Sequence, residues 1–383
     1  MDQIATSTDL TAAVALTLVP GIGPKLTRQL VSYCGSAEAV LSAPAHKLRL
    51  VPGIGASLTE ALTGLRAARQ RAEEIVARCE REDVRVLWYQ HPDFPRRLLE
   101  LPDAPSLLYC RGTADLDAPR AVALVGTRQA TDYGRRATDK LVQGMQPYAP
   151  LIVSGMAYGI DILAHRAALE AGLPTVGVLA GGLDRLYPAD HRRTAERVVA
   201  EGGALITEYP FGVEVARMQF PARNRIIAGL AEATIVVEAG AKGGALITAD
   251  LANDYDRPVL AVPGEIFAPW SVGCNQYIRD AKAAACLSAA DVVVALNWDG
   301  ALYPTIGPAG HAPAAPDINP DNFSANEAAV LRALLAAPEY ADHIDGLSWR
   351  TQLAMGAVSG ALLTLELAGA VSALPGKVFR LTA

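Results

Sequence analysis

A short apolar run, a loop of small residues and a helical stretch recur four times between residues 121 and 264. Ala-Val-Ala-Leu-Val at 121–125 leads into Gly126-Thr127-Arg128, and Leu-Ile-Val at 151–153 into Ser154-Gly155-Met156-Ala157-Tyr158-Gly159. A third run ends at Gly181-Gly182, and Ile-Val-Val-Glu238 is followed by Gly240, Lys242, Gly243 and Gly244. Strands of this kind alternating with helices form a largely parallel sheet covered on both faces. The loops of such a sheet gather along its carboxyl edge, where ligands bind. Glycine lets the backbone approach a ligand closely, and a helix start supplies unpaired N–H groups. Arg128 and Lys242 add positive charge, so this edge suits phosphate.

The loops lack the fingerprints of the standard nucleotide cofactors. No Gly-x-Gly-x-x-Gly follows the strand at 121–125, and no Walker lysine follows a Gly-x-x-x-x-Gly, so neither NAD nor ATP is supported and no cofactor is expected. At 383 residues the chain exceeds one ordinary domain. Its net charge of −6 argues against a protein that coats nucleic acid by bulk charge, although a local basic groove remains compatible with it. Cys34, Cys79, Cys110, Cys274 and Cys286 are scattered, without a Cys-x-x-Cys pair, which predicts a reduced cytoplasmic compartment and no zinc site. Met1-Asp2-Gln3 does not begin a signal peptide, and no apolar run is long enough to span a bilayer, so no membrane insertion is expected.

Outside the alternating region the chain changes character. Val19-Pro20-Gly21-Ile22-Gly23 recurs as Val51-Pro52-Gly53-Ile54-Gly55, which places a pair of helical hairpins in an N-terminal domain over 1–75. Such hairpins either touch a nucleic-acid backbone through their amides or serve only as a packing module. Lys25 and Arg28 accompany the first copy, whereas Ala56, Ser57 and Glu60 leave the second little to hold a phosphate. The alternating Arg and Glu of 66–83 predict a helix with a solvated face. A central domain is expected over 84–300, with additional strands at 84–88, 106–110, 258–262 and 292–296. The five prolines of 301–322 mark a linker. Helices at 327–336, 347–353 and 361–368 and a hairpin over 371–380 predict a winged-helix domain at 323–383.

Several residues stand out as candidates for chemistry. Gly126, Thr127 and Arg128 combine a tight turn, a hydroxyl and a guanidinium able to grip phosphate bidentately. In Phe220-Pro221-Ala222-Arg223-Asn224-Arg225, just after Arg217, arginines beside an aromatic are suited to a sugar–phosphate chain with a stacked base. One of Arg223 and Arg225 is expected to be structural instead, tied to Glu208 or Glu238. Asp161 and His165, four apart on one helix, are either a metal or acid–base pair or, more simply, structural. Glu238, at a strand end, could orient arginines or act as a base, but no second carboxylate or histidine lies near it in sequence.

Val125-Gly126-Thr127-Arg128, Ser154-Gly155-Met156-Ala157-Tyr158-Gly159-Ile160-Asp161, Tyr187-Pro188, Phe220-Pro221-x-Arg223-Asn224-Arg225-Ile226-Ile227-Ala228-Gly229-Leu230, Leu246-Ile247-Thr248-Ala249 and Ala261-Val262-Pro263-Gly264 resemble the bacterial DNA-processing protein A family, DprA or Smf. The resemblance covers about 84–295. It implies an α/β fold: an extended Rossmann-like parallel-sheet core, an N-terminal helical domain of helix-hairpin-helix or SAM-like type and a C-terminal winged helix. It also implies a non-enzymatic homodimer that binds single-stranded DNA, protects it and loads the RecA recombinase onto it during natural transformation, the competence process. Carried over residue by residue, the DNA pocket falls on Gly126, Thr127, Arg128, Ser154, Gly155, Arg223, Asn224 and Lys242. The residues themselves add Arg217, Phe220, Arg225, Gly243 and Gly244, with no catalytic or metal-binding group. The chain departs from the family at Lys242-Gly243-Gly244-Ala245, where Lys-Ser-Gly-Ser is common, and in a recognition helix over 357–370 without Lys or Arg. The rival is a nucleotide phosphoribohydrolase or nucleotide-binding protein of the same superfold. Ile247 and Thr248 stand where that hydrolase motif carries its two glutamates.

Overall fold

The computed structural model describes residues 7–63, 65–299, 318, 320–337, 340–374 and 378–381. It divides into two compact units, one ending at Tyr303 and one beginning at Pro304.

The first unit opens with helices α1 (Ser7–Thr17), α2 (Pro24–Cys34), α3 (Ala37–Ser42), α4 (Ala45–Leu48), α5 (Ala56–Thr63) and α6 (Arg66–Arg81). The repeated Val-Pro-Gly-Ile-Gly segments are the turns before α2 and α5. Gly21 and Gly53 sit at φ +82° and +84°, a left-handed conformation that favours glycine. The turns pack reciprocally: a side chain at Gly21 would meet Leu58 on α5, and one at Gly53 would meet Leu26 on α2. The helix α6 is more than the solvated surface expected of it. Ala72, Ile75, Val76 and Cys79 form a buried stripe at helical spacing, while the charged residues occupy the rest of its circumference.

The core sheet follows. Its strands are β1 (Val84–Trp88), β2 (Leu107–Gly112), β3 (Ala121–Val125), β4 (Leu151–Ser154), β5 (Thr175–Val178), β6 (Ala204–Thr207), β7 (Ala233–Val236), β8 (Val259–Ala261) and β9 (Ala284–Ala285). Between them run α7 (Arg96–Leu99), α8 (Asp132–Met145), α9 (Ile160–Glu170), α10 (Arg192–Ala200), α11 (Gln219–Leu230), α12 (Gly244–Asp254) and α13 (Val272–Arg279), and α14 (Ala289–Ala295) closes the unit. Strand order is β1-β2-β6-β5-β4-β3-β7-β8-β9. From β6 to β9 all neighbours are parallel, and β2 joins β6 antiparallel. Every residue of β3 is buried because helices cover both faces of the sheet. The chain builds outward from β3 through β4, β5 and β6, then returns to place β7 on its other side. The order therefore reverses between β3 and β7, and a crevice opens there at the carboxyl ends of the strands.

One expected strand is a helix. Residues 292–296, read as extended from their run of valines, lie mostly in α14. Ser288 and Asp291 form a capping box at its start, two reciprocal side-chain-to-backbone bonds that fix a helical turn despite the β-branched run.

The second unit holds α15 (Ala325–Leu335), β10 (Ala341–His343), α16 (Ile344–Thr351), α17 (Met355–Leu367), β11 (Val371–Leu374) and β12 (Val378–Leu381). Its sheet runs β10-β12-β11, all antiparallel, the wing of a winged helix. Both α16 and α17 begin several residues before their expected starts. Ile318 and Phe323 pack on its core, so this unit begins before residue 323. The expected linker lies, through residue 317, outside the described residues, as does Lys377 of the hairpin.

Candidate nucleic-acid interface

A cleft of about 300 Å³ occupies the crevice between β3 and β7. The loop after β3 supplies Gly126, Thr127 and Arg128, and the loop after β7 supplies Gly240, Lys242, Gly243 and Gly244. The first two turns of α11 add Phe220, Pro221, Arg223 and Asn224. These loops sit close because their glycines permit it. A Cβ at Gly126 would lie 2.3 Å from Cγ1 of Ile160, and one at Gly159 would lie 2.0 Å from the Thr127 carbonyl oxygen. The wall beyond Gly243 is the N-terminus of α12. Its first amides lack intrahelical acceptors and face the cleft with the positive end of the helix dipole.

The cations divide into two kinds. Arg128, Arg217 and Lys242 are exposed at the rim. The Arg128 guanidinium lies 4.9 Å above the Phe220 ring, and Tyr187 meets the same ring edge-on at 5.9 Å. Arg128, Phe220 and Tyr187 thus form a ladder, with the guanidinium carbon over the Phe220 ring. Arg217 lines the outward continuation of the cleft together with Tyr187 and Met218.

Arg223 and Arg225 are of the second kind. Arg223 is buried beneath the cleft. Its Nη1 donates to the carbonyls of Gly155 and Val178, and its Nε donates to Oδ1 of Asn224 at 3.3 Å. Burial pulls its guanidinium down to about 10, although Asp161 beside it favours the charge. Arg223 therefore lends charge to the floor while bracing the loop after β4, and it is no free fork for phosphate. Arg225 leaves the site altogether. It pairs with Glu208 in a largely buried ion pair and does not line the cleft. Burial raises the Glu208 carboxyl, and Arg225 opposes that shift.

Other expected contacts are also spent inside the fold. Ser154 is fully buried and donates its hydroxyl to the Leu124 carbonyl at 2.6 Å. The Gly155 amide bonds to the carboxylate of Asp161, so neither residue offers a group to the cleft. Asn224 presents one face to the cleft while its Nδ2 donates to the Gly244 carbonyl at 3.2 Å. The Thr127 hydroxyl accepts from the Gln129 amide at 3.2 Å.

The candidates for acid–base chemistry are structural. Glu238 accepts from the Thr131 amide at 2.9 Å and its hydroxyl at 2.5 Å, tying the start of α8 to β7. Asp161 lies beside Arg223, and its carboxyl is raised by burial against that guanidinium and the amides of Ala157 and Gly155. His165 is fully buried and held at 2.7 Å from the Thr175 hydroxyl. Burial, then the charge of Arg223, lowers its imidazole to about 3. Ile247 and Thr248 line the cleft with no carboxylate between them, and the Thr248 hydroxyl bonds back to the Gly244 carbonyl.

Sequence reasoning missed Trp270. It lines the cleft with its ring against Gly240, where an added Cβ would come within 3.3 Å. It arrives from the loop after β8, and only the strand order brings that loop beside the one after β7.

Three family models match the chain in succession. A SAM-like helix-hairpin-helix tandem matches 14–63, DNA recombination-mediator protein A matches 85–297, and the DprA winged helix domain matches 311–377. The chain belongs to the DprA/Smf family. Protein Smf of Synechocystis is 34% identical over 95% of this chain and 96% of its own length. A putative DNA processing protein DprA of Mycobacterium tuberculosis is 41% identical over 72% of this chain and 68% of its own. The X-ray structure of Streptococcus pneumoniae DprA matches with a TM-score of 0.61 at 30% identity, covering 74% of this chain and 95% of that one. Helicobacter pylori DprA, described for its single-stranded DNA binding mode, matches with 0.51 at 29% identity over 56% and 96%. The DprA fold thus accounts for the α/β core, the helical hairpins and the winged helix alike. Among the described residues no helix is long and apolar enough to cross a membrane.

Proposed function

We propose that this chain binds single-stranded DNA without altering it and serves as a cytoplasmic recombination mediator, a homodimer that protects an incoming strand and passes it to RecA. The observation that carries the DNA-binding reading is the cleft at the strand-order reversal. Exposed Arg128 and Lys242 both line it, among glycine turns and the N-terminus of α12. Phosphate meets guanidinium, ammonium and backbone amides, and none of these reads base identity. Arg217 extends the positive rim outward for the next phosphate. The RecA and dimer assignments rest on family membership. Hydrolysis is disfavoured because Glu238 is bonded to Thr131, Ile247 lies at the cleft lip, and Asp161, the carboxylate that does line the cleft, is held by Arg223 and the amides of Ala157 and Gly155.

Titration of the full chain with labelled oligodeoxythymidylate at several salt concentrations tests the reading. Three rim cations predict a log–log slope of about −2, at roughly −0.7 per neutralised phosphate. Arg128→Ala should weaken binding and make the slope shallower by about 0.7, with the unfolding transition unchanged. An unaltered affinity in that variant, or tighter binding of AMP with product release, would remove the proposal.

A further inference from the structure

The loop between β8 and α13 is tied at both ends. Gly264 exchanges two hydrogen bonds with the Asn275 side chain, at 3.1 and 3.0 Å. At the other end the Trp270 carbonyl accepts from the Ala239 amide at 2.7 Å, and the Gly273 amide donates to the Ala239 carbonyl at 2.9 Å. Turn bonds from Ala268 to Glu265 and from Ser271 to Ala268 fold the intervening residues. The tip so held presents Ile266 at 73% exposure and Phe267 at 84%. A large aromatic held out by an ordered loop is an apolar surface that water covers poorly.

Its position says what it meets. Trp270, three residues along the same loop, lines the cleft, and exposed Lys242 stands on the neighbouring loop. On the far side of the cleft lie Arg128, Phe220 and Tyr187. The carboxyl edge therefore carries flat side chains on both flanks of a cationic centre. Glu265, exposed beside Ile266, repels phosphate, so a polynucleotide crossing this loop must turn its bases toward it.

We infer that Trp270 and Phe267 form a second stacking platform, which receives bases of the strand after its backbone has crossed Lys242. The inference rests on the proposed cleft and adds a direction of travel: the bound strand spans the edge from Tyr187 to Phe267. Stacking on aromatic faces is sequence-tolerant, which suits a strand of arbitrary composition.

The test uses the full chain carrying Trp349→Phe. Trp88 and Trp298 are buried, at 1% and 8% exposure, so Trp270 then dominates the response to ligand. An oligodeoxythymidylate ladder, from the dinucleotide upward, is titrated against this protein and against the same protein with Phe267→Ala. The expected result is an affinity gain at the length that reaches Phe267. Phe267→Ala should lose that gain by about five-fold or more, the lower bound for one stacked base, yet bind the dinucleotide equally well. Identical length profiles overturn the platform while leaving the cleft intact. A Phe267→Ala variant with altered sedimentation but unaltered strand affinity also overturns it, by assigning the loop to contact between copies. Absence of any binding or Trp270 response in the parent, at every length, overturns the cleft reading and the platform together.

Discussion

Arg223 and Arg225 show what a residue's place in sequence does and does not reveal. Two positions along a helix turn about 200°, so the two guanidinium groups had to leave α11 on opposite sides. That much follows from spacing. Which side meets the cleft depends on how α11 packs across the sheet, and no local signal carries it. The structure turns Arg225 toward Glu208 and Arg223 under the cleft. Arg225→Ala would strand the Glu208 carboxylate in a largely buried place. A loss of about 3–5 kcal/mol in denaturant unfolding is expected, while the folded fraction binds DNA as before. Wild-type stability in this variant would show the pair to be idle.

His165 gives a pH prediction of defined sign. The Thr175 hydroxyl donates its one proton to the Ile152 carbonyl, so the imidazole must donate to it through Nδ1, which leaves Nε2 bare and unpartnered. The folded imidazole titrates at about 3 against an ordinary 6.5. Below 6.5 the unfolded chain gains a proton that the folded chain refuses, so stability is lost as pH falls through that window. From pH 7 to 5 the loss is about 2 kcal/mol. His165→Asn keeps an N–H for Thr175 and cannot titrate. Urea midpoints at the two pH values should fall further for the wild type than for this variant. The raised carboxyls of Asp161 and Glu208 are common to both proteins and cancel in the comparison.

Elements were legible where periodicity and local chemistry agreed. The parallel core strands are continuous apolar runs bounded by glycine, and they fold as read. In α14 the three consecutive valines point toward a strand, but Ser288 and Asp291 cap a helix and prevail. In α6 the count of charges hid a buried stripe of Ala72, Ile75, Val76 and Cys79. The helix α17 tests the opposite case, a familiar element with unfamiliar residues. Winged helices that grip duplex DNA anchor on phosphates with cations, yet α17 has none and exposes Leu363, Leu367 and Glu366. The isolated second unit, with its own buried core, should therefore not shift duplex DNA in a gel at physiological salt. Retardation by that unit would place phosphate contacts elsewhere on it.

At the scale of the molecule, the helical hairpins and the Rossmann-like sheet are less separable than their sequences suggest. One buried cluster runs from Val14, Leu16, Leu30 and Ile75 into Trp88, Tyr109, Ile162 and Phe211. Polar ties cross the same boundary: Arg28 donates to the Pro105 carbonyl and lies 5.3 Å from the Tyr89 ring, and Arg78 pairs with Asp184 at 3.1 Å. Arg28, the arginine beside the first hairpin, is thereby committed to the sheet. Removing the first 83 residues would expose Trp88 and Tyr109, each 1% exposed in the intact chain, together with the apolar face around them. A chain starting at residue 84 should therefore aggregate or lose its cooperative transition, even though it contains the whole cleft. The second unit shares none of that cluster. Calorimetry of the truncated and intact chains tests this. If the truncated chain melted at the parent's temperature, the hairpins would be an appendage and the shared core would contribute nothing to the sheet's stability.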